Sequence, residues 1–184
     1  MQANFKHVAA DELGYDPAQV DEMIGLARAQ FSDPASKVLG ASKLRTSQFL
    51  LAKGGYEIGS VDAALDRLDD AFAANEAARL LAQRGHQGAQ QYLAEMKELL
   101  VARIERPRGQ RFKRASFVHK GYSKRQVDAV VELIREALEG QNELAISYLR
   151  QVVFSPRWGG YHENQVDAFI DKAVEFLQLS RGIL

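Results

Sequence analysis

The 184-residue sequence predicts an all-α protein built from four tandem hook-plus-helix repeats. A segment of the form Gly-Tyr-x-x-x-x-Val-Asp occurs four times. An apolar stripe with helical spacing follows each copy, and the residues before the copies alternate between two patterns. The predicted architecture is therefore two duplicated pairs of repeats with an inserted helical hairpin or coiled-coil segment.

The repeated segment has the residue types of a turn that leads into a helix. Its copies contain Gly14, Tyr15, Val20 and Asp21; Gly55, Tyr56, Val61 and Asp62; Gly121, Tyr122, Val127 and Asp128; and Gly160, Tyr161, Val166 and Asp167. Glycine suits the turn, and polar residues before the Val suit a helix start. We expect each Tyr to anchor its turn on the helix. Each Asp is expected in the first helical turn, where a carboxylate suits the helix dipole.

Apolar residues follow each repeated Val after three, four and seven positions, which predicts a helix with one buried face. They are Met23, Ile24 and Ala27; Ala64, Leu65 and Leu68; Val130, Val131 and Ile134; and Phe169, Ile170 and Ala173. Asp16 to Gln19 and Ser123 to Gln126 have the residue types of capping boxes. The first helix is expected to end at Ser32-Asp33-Pro34, because proline cannot continue it.

The second repeat predicts an unusually long helix. The apolar pattern continues from Ser60 to Arg84 until Gly85-His86-Gln87-Gly88 interrupts it. A further helix from Ala89 to Glu105 carries about two heptads of apolar residues. These two helices are the predicted inserted hairpin or short coiled coil.

The residues before each Gly-Tyr show that a two-repeat block has been duplicated. Repeats one and three share Phe-Lys, as Phe5-Lys6 and Phe112-Lys113. Repeats two and four share Ser-x-Leu-Arg-x-x-x-Phe, as Ser42, Leu44, Arg45 and Phe49, and as Ser147, Leu149, Arg150 and Phe154. We therefore place repeats one and two in residues 1–72, the inserted helical segment and a basic linker in 73–110, and repeats three and four in 111–184. Our hypothesis is that repeats one and two pair within the chain, as do three and four.

Composition predicts a cytoplasmic protein without catalytic residues, metal ligands or a cofactor. The chain has no cysteine, no apolar run of spanning length and no signal-peptide pattern at its start. Its four histidines lack ligand spacing, and no phosphate-binding glycine motif occurs. The net charge is zero, but Arg103 to Arg125 holds nine Lys or Arg against one Glu. This asymmetry favours a basic surface facing an anionic partner.

One combination of residues resembles the amino-terminal domain of DivIVA-type proteins, in particular actinobacterial proteins that repeat it. The combination is an apolar residue, a Phe five residues later, and Gly-Tyr-x-x-x-x-Val-Asp before a helix. It is complete at Leu44, Phe49, Gly55-Tyr56 and Val61-Asp62, and at Leu149, Phe154, Gly160-Tyr161 and Val166-Asp167; repeats one and three keep its second half. The resemblance implies a hook before a helix, parallel pairing of two chains, and scaffolds that recruit other proteins at division sites or growing poles. It also implies contact with the inner face of the cytoplasmic membrane.

In that family the membrane contact is an exposed aromatic three residues before the Tyr, beside a basic residue. The positions here are Glu12, Lys53, His119 and Trp158, so that Trp158 beside Arg157 matches. The candidate membrane-contact residues are therefore Trp158, Arg157, Arg106, Arg108, Arg111, Lys113 and Arg114. Ordinary packing of Trp158 and a solvated basic linker remain the alternatives.

Two functions remain open. The first is a non-enzymatic scaffold at the membrane whose partners are other division or envelope-growth proteins. The second is a soluble protein-interaction module that docks partners on the helices between Ser60 and Glu105. A homodimer stays open in both cases. Nucleic acid is the less favoured partner, because no recognition motif accompanies the basic residues.

Overall fold

The computed structural model describes residues 5–32 and 49–184, with the side chain of residue 32 left out. The described elements are, in order, β1 (Leu13–Tyr15), α1 (Pro17–Ser32), β2 (Leu51–Lys53), α2 (Ile58–Ile104), β3 (Lys120–Tyr122), α3 (Lys124–Leu138), α4 (Ile146–Gln151), β4 (Pro156–Trp158) and α5 (Glu163–Ile183). The chain divides into two compact units between Asn75 and Glu76. Helix α2 contributes its first part to unit 1 and the rest to unit 2.

The described residues are mostly helical, but the all-α prediction missed two small sheets. β1 pairs antiparallel with β2, and β3 with β4. Each strand has three residues, which is too short for an alternating pattern to stand out from a turn. Each strand also finds its partner far along the chain, where local sequence gives no signal.

Unit 1 has a small core in which α1, the start of α2 and the turns before them meet. Its buried centre is formed by Val20, Ile24, Tyr56 and Val61, with Phe5, Tyr15, Phe49, Leu65 and Leu68 packed around it. A second cluster farther along the helices centres on Ala27. The predicted apolar stripe of α1 is thus buried. The predicted stop at Asp33-Pro34 and the pattern residues Ser42, Leu44 and Arg45 lie outside the described residues.

Unit 2 has a larger core, to which α2, α3, α4 and α5 all contribute. All the buried residues of this cluster lie between Ala77 and Ile183. They include the stripe of α3 (Val127, Val130, Val131, Ile134 and Leu138) and that of α5 (Val166, Phe169, Ile170 and Ala173). Gly182 packs against Ala77 closely enough that a methyl group on Gly182 would crowd the Ala77 side chain.

The predicted interruption of the long helix is sharper than the sequence indicates. Within α2, Gly85 has non-helical backbone angles, φ 67° and ψ 174°, whereas His86, Gln87 and Gly88 remain in the helical run. A left-handed φ suits glycine because it has no Cβ. One residue therefore divides α2 into two helical segments.

The predicted capping boxes are only partly present. Asp16 does cap α1, since its Oδ1 accepts a hydrogen bond from the Gln19 N–H at 3.1 Å. Ser123 makes no side-chain cap. The N–H groups of Asp16 and Ser123 donate to the carbonyl oxygens of Leu50 and Ser155, which directly precede β2 and β4.

The glutamine side chains of these boxes therefore do not fold back to the start of their own helix. Gln19 Oε1 accepts from the Leu50 N–H at 2.9 Å, and Gln126 Oε1 accepts from the Ser155 N–H at 2.8 Å. Because the capping N–H is already occupied, each glutamine ties the helix start to the neighbouring strand instead.

Among the described residues, no helix combines the length and apolar character needed to cross a membrane.

Candidate interaction surfaces

In each unit the two Gly-Tyr segments cross, with their backbones in direct contact. We call each of these crossings a tyrosine corner. In unit 1 the N–H of Tyr15 donates to the carbonyl of Tyr56, and the N–H of Tyr56 donates to the carbonyl of Tyr15, both at 2.9 Å. In unit 2, Tyr122 and Tyr161 exchange the same two bonds at 2.9 Å. Repeat one thus contacts repeat two, and repeat three contacts repeat four, through equivalent backbone atoms.

The glycines of the corners are required by close approach of the two backbones. A Cβ built at Gly14 would overlap the carbonyl oxygen of Tyr56, and one built at Gly121 would overlap that of Tyr161. Gly55 and Gly160 are equally tight against the carbonyl oxygens of Tyr15 and Tyr122. The repeated Gly is therefore explained by steric exclusion at the crossing.

The tyrosine hydroxyls bond to the aspartate of the opposite repeat. Tyr56 donates to Asp21 at 3.3 Å, Tyr161 to Asp128 at 3.0 Å and Tyr122 to Asp167 at 3.5 Å. The fourth pair is Tyr15 and Asp62, where burial and then the neighbouring Asp62 carboxylate raise the pKa of the Tyr15 phenol. The prediction that each Asp lies in the first helical turn was wrong: Asp21, Asp62, Asp128 and Asp167 are each the fifth residue of their helix. The tyrosine of the paired repeat, not the helix dipole, is their partner.

The corner of unit 2 is the more deeply buried of the two. Tyr161 is fully buried, and burial is the main cause that raises its pKa to about 12, with Asp128 adding to the rise. Burial also raises the pKa of Tyr15, Tyr56 and Tyr122. All four phenols therefore act as neutral hydrogen-bond donors at neutral pH.

Arg111 is a buried structural residue and not part of any exposed basic surface. Its side chain is 5% exposed, and its guanidinium bonds to the carboxylate of Glu132 and to the carbonyl oxygen of Asp128, the latter at 3.1 Å. It also donates to the carbonyl oxygen of Ile104 at 3.1 Å, while its N–H donates to the Tyr161 hydroxyl at 3.2 Å. The hydrogen bond from Arg111 is the largest of the causes that lower the pKa of Glu132 to about 2, and Arg135 and Arg108 add to it. Because its side chain is buried, Arg111 is not available as a membrane contact.

The other basic candidates are exposed, in three places. Arg106 and Arg108 lie in the loop after α2, where Arg108 Nε is 3.3 Å from Glu132 Oε1. Lys113 and Arg114 lie on the segment that leads into β3, and the guanidinium of Arg114 covers Gly159. Arg157 lies in β4 and is exposed.

Trp158 lies at the end of the second small sheet and is 65% exposed. Its Cα pairs with that of Lys120 across the sheet, and Lys120 Nζ lies 5.8 Å from the centroid of the indole ring. The turn just before Lys120 carries Phe117, 92% exposed, and Val118, 55% exposed. Because β3 begins where β4 ends, the turn and Trp158 lie at the same end of the sheet. We call Phe117, Val118 and Trp158 the aromatic tip.

Sequence reasoning missed Phe117 and Val118. An isolated Phe-Val pair is most often core, so nothing in the residue types indicates exposure. The available signal was their place in the repeat: the equivalent turn of unit 1 is Ala10-Asp11, which is also a surface turn.

The corresponding sheet of unit 1 carries a different surface. Leu13, Leu50 and Leu51 are 56%, 68% and 54% exposed, and we call them the leucine patch. Leu51 pairs with Tyr15 across the sheet, which makes Leu13 and Leu51 diagonal neighbours on one face. The exposed acids Asp11 and Glu12 directly precede Leu13.

The helices proposed as a docking surface are largely occupied by the protein's own core. Leu93, Met96, Leu100 and Ile104 are each at most 4% exposed and belong to the core of unit 2. Leu99, 69% exposed, is an apolar residue that α2 leaves on the surface there. This face is therefore not a free stripe for a partner helix.

Within residues 5–32 and 49–184, no three His, Asp or Glu side chains are grouped so that they could hold a metal ion. In comparisons with known proteins, no family model, curated protein or solved structure matches the chain.

Proposed function

We propose that this protein is a non-enzymatic, cytoplasmic scaffold or adaptor of the DivIVA type, which acts in cell division or polar growth and contacts the inner face of the membrane. The membrane contact is the aromatic tip of unit 2. The observation that supports it is the exposure of Phe117 and Trp158 beside the cations Lys120 and Arg157.

The chemistry of the aromatic tip suits an anionic bilayer surface. Aromatic side chains partition into the interfacial region, and each nearby cation contributes about 1 kcal/mol when the lipids are anionic. Lys113 and Arg114 add two more exposed cations on the same segment. Apolar insertion and charge therefore act in the same direction.

We also propose that the chain consists of two copies of one paired module. The support is that both units repeat the same strand pairing, the same exchanged tyrosine bonds and the same Tyr–Asp contacts between repeats. A chain with a single repeat would need a second chain to form such a corner. Here each pair of repeats supplies both halves.

Co-sedimentation with vesicles tests the membrane contact. We expect the protein to bind vesicles rich in phosphatidylglycerol and not vesicles of phosphatidylcholine alone. Replacing Phe117 and Trp158 by Ser is expected to weaken binding about tenfold or more, because two large apolar contacts are lost. Leu99→Ser serves as the control, because it removes an apolar residue of the same unit that is about as exposed as Trp158, at 69% against 65%. Equal binding by all three proteins would exclude the aromatic tip as the contact.

The cellular role has its own test. A fluorescent fusion expressed in the native host is expected at the poles or septum, and the Phe117→Ser, Trp158→Ser variant is expected to be diffuse. A wild-type fusion spread evenly through the cytoplasm would contradict the role in division or polar growth.

A protein-interaction module without a membrane role is the second candidate. The leucine patch favours it, because Leu13 and Leu51 are diagonal neighbours on one sheet face and both more than half exposed, which suggests a surface that another protein covers.

A further inference from the structure

We propose that Ser116 is a phosphorylation site, modified by a protein kinase that recognises basic residues before its target serine. Ser116 begins the turn that carries Phe117 and Val118, so the phosphate would lie within the aromatic tip. The site itself is independent of membrane contact, whereas its effect on lipid binding rests on the proposed function.

The residues around Ser116 have the chemistry that such a kinase binds. Lys113 and Arg114 lie three and two positions before the serine, and Phe117, 92% exposed, directly follows it. A kinase with carboxylates in its substrate groove pairs with cations of this kind. No other serine of the sequence has cations at both of these positions. The sequence around Ser116 is therefore distinct from that of every other serine in the chain.

The fold presents Ser116 to solvent. The chain before it is held extended, because the Ala115 N–H donates to the carbonyl oxygen of Gly160 at 2.9 Å. Ser116 is exposed, and its Oγ lies 3.5 Å from the Val118 N–H, which is too long for a strong hydrogen bond. The turn is closed by the bond from the His119 N–H to the Ser116 carbonyl oxygen at 3.1 Å. Opening so small a turn on the surface costs little, so a kinase can reach the hydroxyl.

The equivalent turn of unit 1 indicates that the fold accommodates negative charge at this place. It is closed by the corresponding bond, from the Glu12 N–H to the carbonyl oxygen of Ala9 at 3.0 Å. Ala9 lies where unit 2 has Ser116, and Asp11 and Glu12 supply two exposed carboxylates. Phosphorylation would therefore give the turn of unit 2 a charge that the turn of unit 1 carries permanently.

The reaction transfers the γ-phosphoryl group of ATP to the Ser116 hydroxyl. A bond forms between Oγ and the γ-phosphorus, while the bond from that phosphorus to the β,γ-bridging oxygen breaks. The hydroxyl proton passes to a base of the kinase, and ADP leaves. The phosphoserine then carries a charge of about −1.5 to −2 at neutral pH.

Phosphoserine at this place would oppose both forces that hold the tip at an anionic membrane. Its charge would offset about half of the charge carried by the exposed residues Lys113, Arg114, Lys120 and Arg157. The hydrated phosphate would also keep the adjoining Phe117 out of the bilayer interface. We therefore expect phosphorylation of Ser116 to release the tip from anionic lipid.

Mass spectrometry tests the site without any lipid. The intact chain is treated with ATP and the catalytic subunit of cAMP-dependent protein kinase, which selects basic residues before a serine. We expect phosphate on Ser116, none on Ser116→Ala, and phosphorylation about tenfold or more slower after Lys113→Ala with Arg114→Ala. Ser147, which is exposed but has no cation directly before it, should stay unmodified. The chain isolated from its native host should yield the same phosphopeptide, and its absence from growing and stationary cells alike would overturn the proposal.

Vesicle binding separates the modification from the membrane contact. The phosphorylated chain is expected to bind phosphatidylglycerol vesicles about thirtyfold more weakly than the same sample after phosphatase treatment, since about two cations are offset. Kinase-treated Ser116→Ala should bind like the untreated wild type. If the unmodified chain does not bind vesicles, the proposed function fails while the mass spectrum still decides the site. Equal binding with and without the phosphate would show that Ser116 does not control the membrane contact.

Discussion

At the scale of single residues, one hydroxyl group joins two buried polar residues in the interior of unit 2. The Tyr161 hydroxyl donates to Asp128 and accepts from the N–H of Arg111. Both partners are themselves buried, at 7% and 4% exposure. The loss of one oxygen atom would therefore leave two buried polar groups without this partner.

We expect Tyr161→Phe to lower the free energy of unfolding by about 1–3 kcal/mol, the usual cost of an unsatisfied buried group. Tyr122→Phe is the matched control, because its hydroxyl bond is longer, at 3.5 Å, and exposed. The control should cost less than about 0.5 kcal/mol. Urea unfolding of both variants measures the difference, and equal costs would contradict the unequal burial.

The ion pair of Arg111 and Glu132 predicts a stability that depends on pH. The pKa of Glu132 falls from 4.5 to about 2 in the folded protein. A carboxyl group with a lowered pKa stabilises the fold above its unfolded pKa, and this contribution is lost as the pH falls through the folded value. The window for the loss is therefore from about pH 4.5 to about pH 2.

We expect guanidinium unfolding at a series of pH values to show this loss in the wild type, on the order of 2–3 kcal/mol. Glu132→Gln should be less stable at pH 7 and should lose less on acidification. Asp167 acts in the opposite direction, because burial raises its pKa and its protonation favours the fold. Parallel pH curves for wild type and Glu132→Gln would show that Glu132 is not the titrating group.

At the scale of elements, backbone crossings fix the positions of the sheets. Gly14 and Gly121 lie where a side chain would overlap the carbonyl oxygen of the opposite repeat. At Gly25, in the interior of α1, a Cβ would meet no atom within 4 Å apart from its chain neighbours and the backbone of its own helix. The same residue type is therefore essential at the crossing and dispensable in the helix.

We expect Gly121→Ala to cost about 2 kcal/mol or more, since overpacking against a backbone atom cannot be relieved by a rotamer change. Gly25→Ala should be neutral or stabilising by up to about 1 kcal/mol, because alanine favours a helix interior. Thermal unfolding followed by circular dichroism measures both. A tolerated Gly121→Ala would mean that the two backbones approach less closely than described.

The break in α2 depends on the left-handed backbone of Gly85. Gly85→Ala is expected to cost about 1–2 kcal/mol if the break persists, because an L-residue is strained at φ 67°. Incorporation of D-alanine at the same position should remove that cost. An L-alanine variant more stable than the wild type would indicate a continuous helix through this point.

Several of these elements were predictable from sequence, and the reasons differ from one to another. The helices after each Gly-Tyr carry long apolar stripes, so their existence was clear. The break at Gly85 was visible as a glycine-rich interruption. The Tyr–Asp bonds were not predictable, since Tyr56 and Asp21 are 35 residues apart and either residue alone suits a helix start.

The candidate site was less predictable than the fold. Arg111 and Arg114 are only three positions apart and have the same charge, yet Arg111 is 4% exposed and Arg114 is exposed. Which arginine turns inward depends on Glu132 and Asp128, which lie in α3. Exposure of Phe117 likewise follows from the tertiary fold, because its residue type predicts burial.

At the scale of the whole molecule, each unit has a core of its own. The large cluster lies entirely between Ala77 and Ile183, whereas Val20, Ile24, Tyr56 and Val61 form the centre of unit 1. Damage to one tyrosine corner should therefore be felt mainly by the unit that contains it.

Hydrogen exchange read by mass spectrometry tests this independence. We expect Gly14→Ala to raise exchange in residues 5–32 and 49–75 while peptides from 86–184 keep their protection. Gly121→Ala should give the reverse pattern. Loss of protection throughout the chain in either variant would show that the two units unfold as one cooperative block.

The crossed tyrosine corners also have a consequence for folding kinetics. Their bonds join residues 33 to 45 positions apart, whereas helical bonds are local. The entropy of closing such loops delays the corners, so the helices should form and pack before the turns meet. Variants at the corner glycines would then accelerate unfolding while leaving the refolding rate almost unchanged. The contact between the two turns would therefore determine how long the native state persists, and it would have little influence on how fast the native state forms.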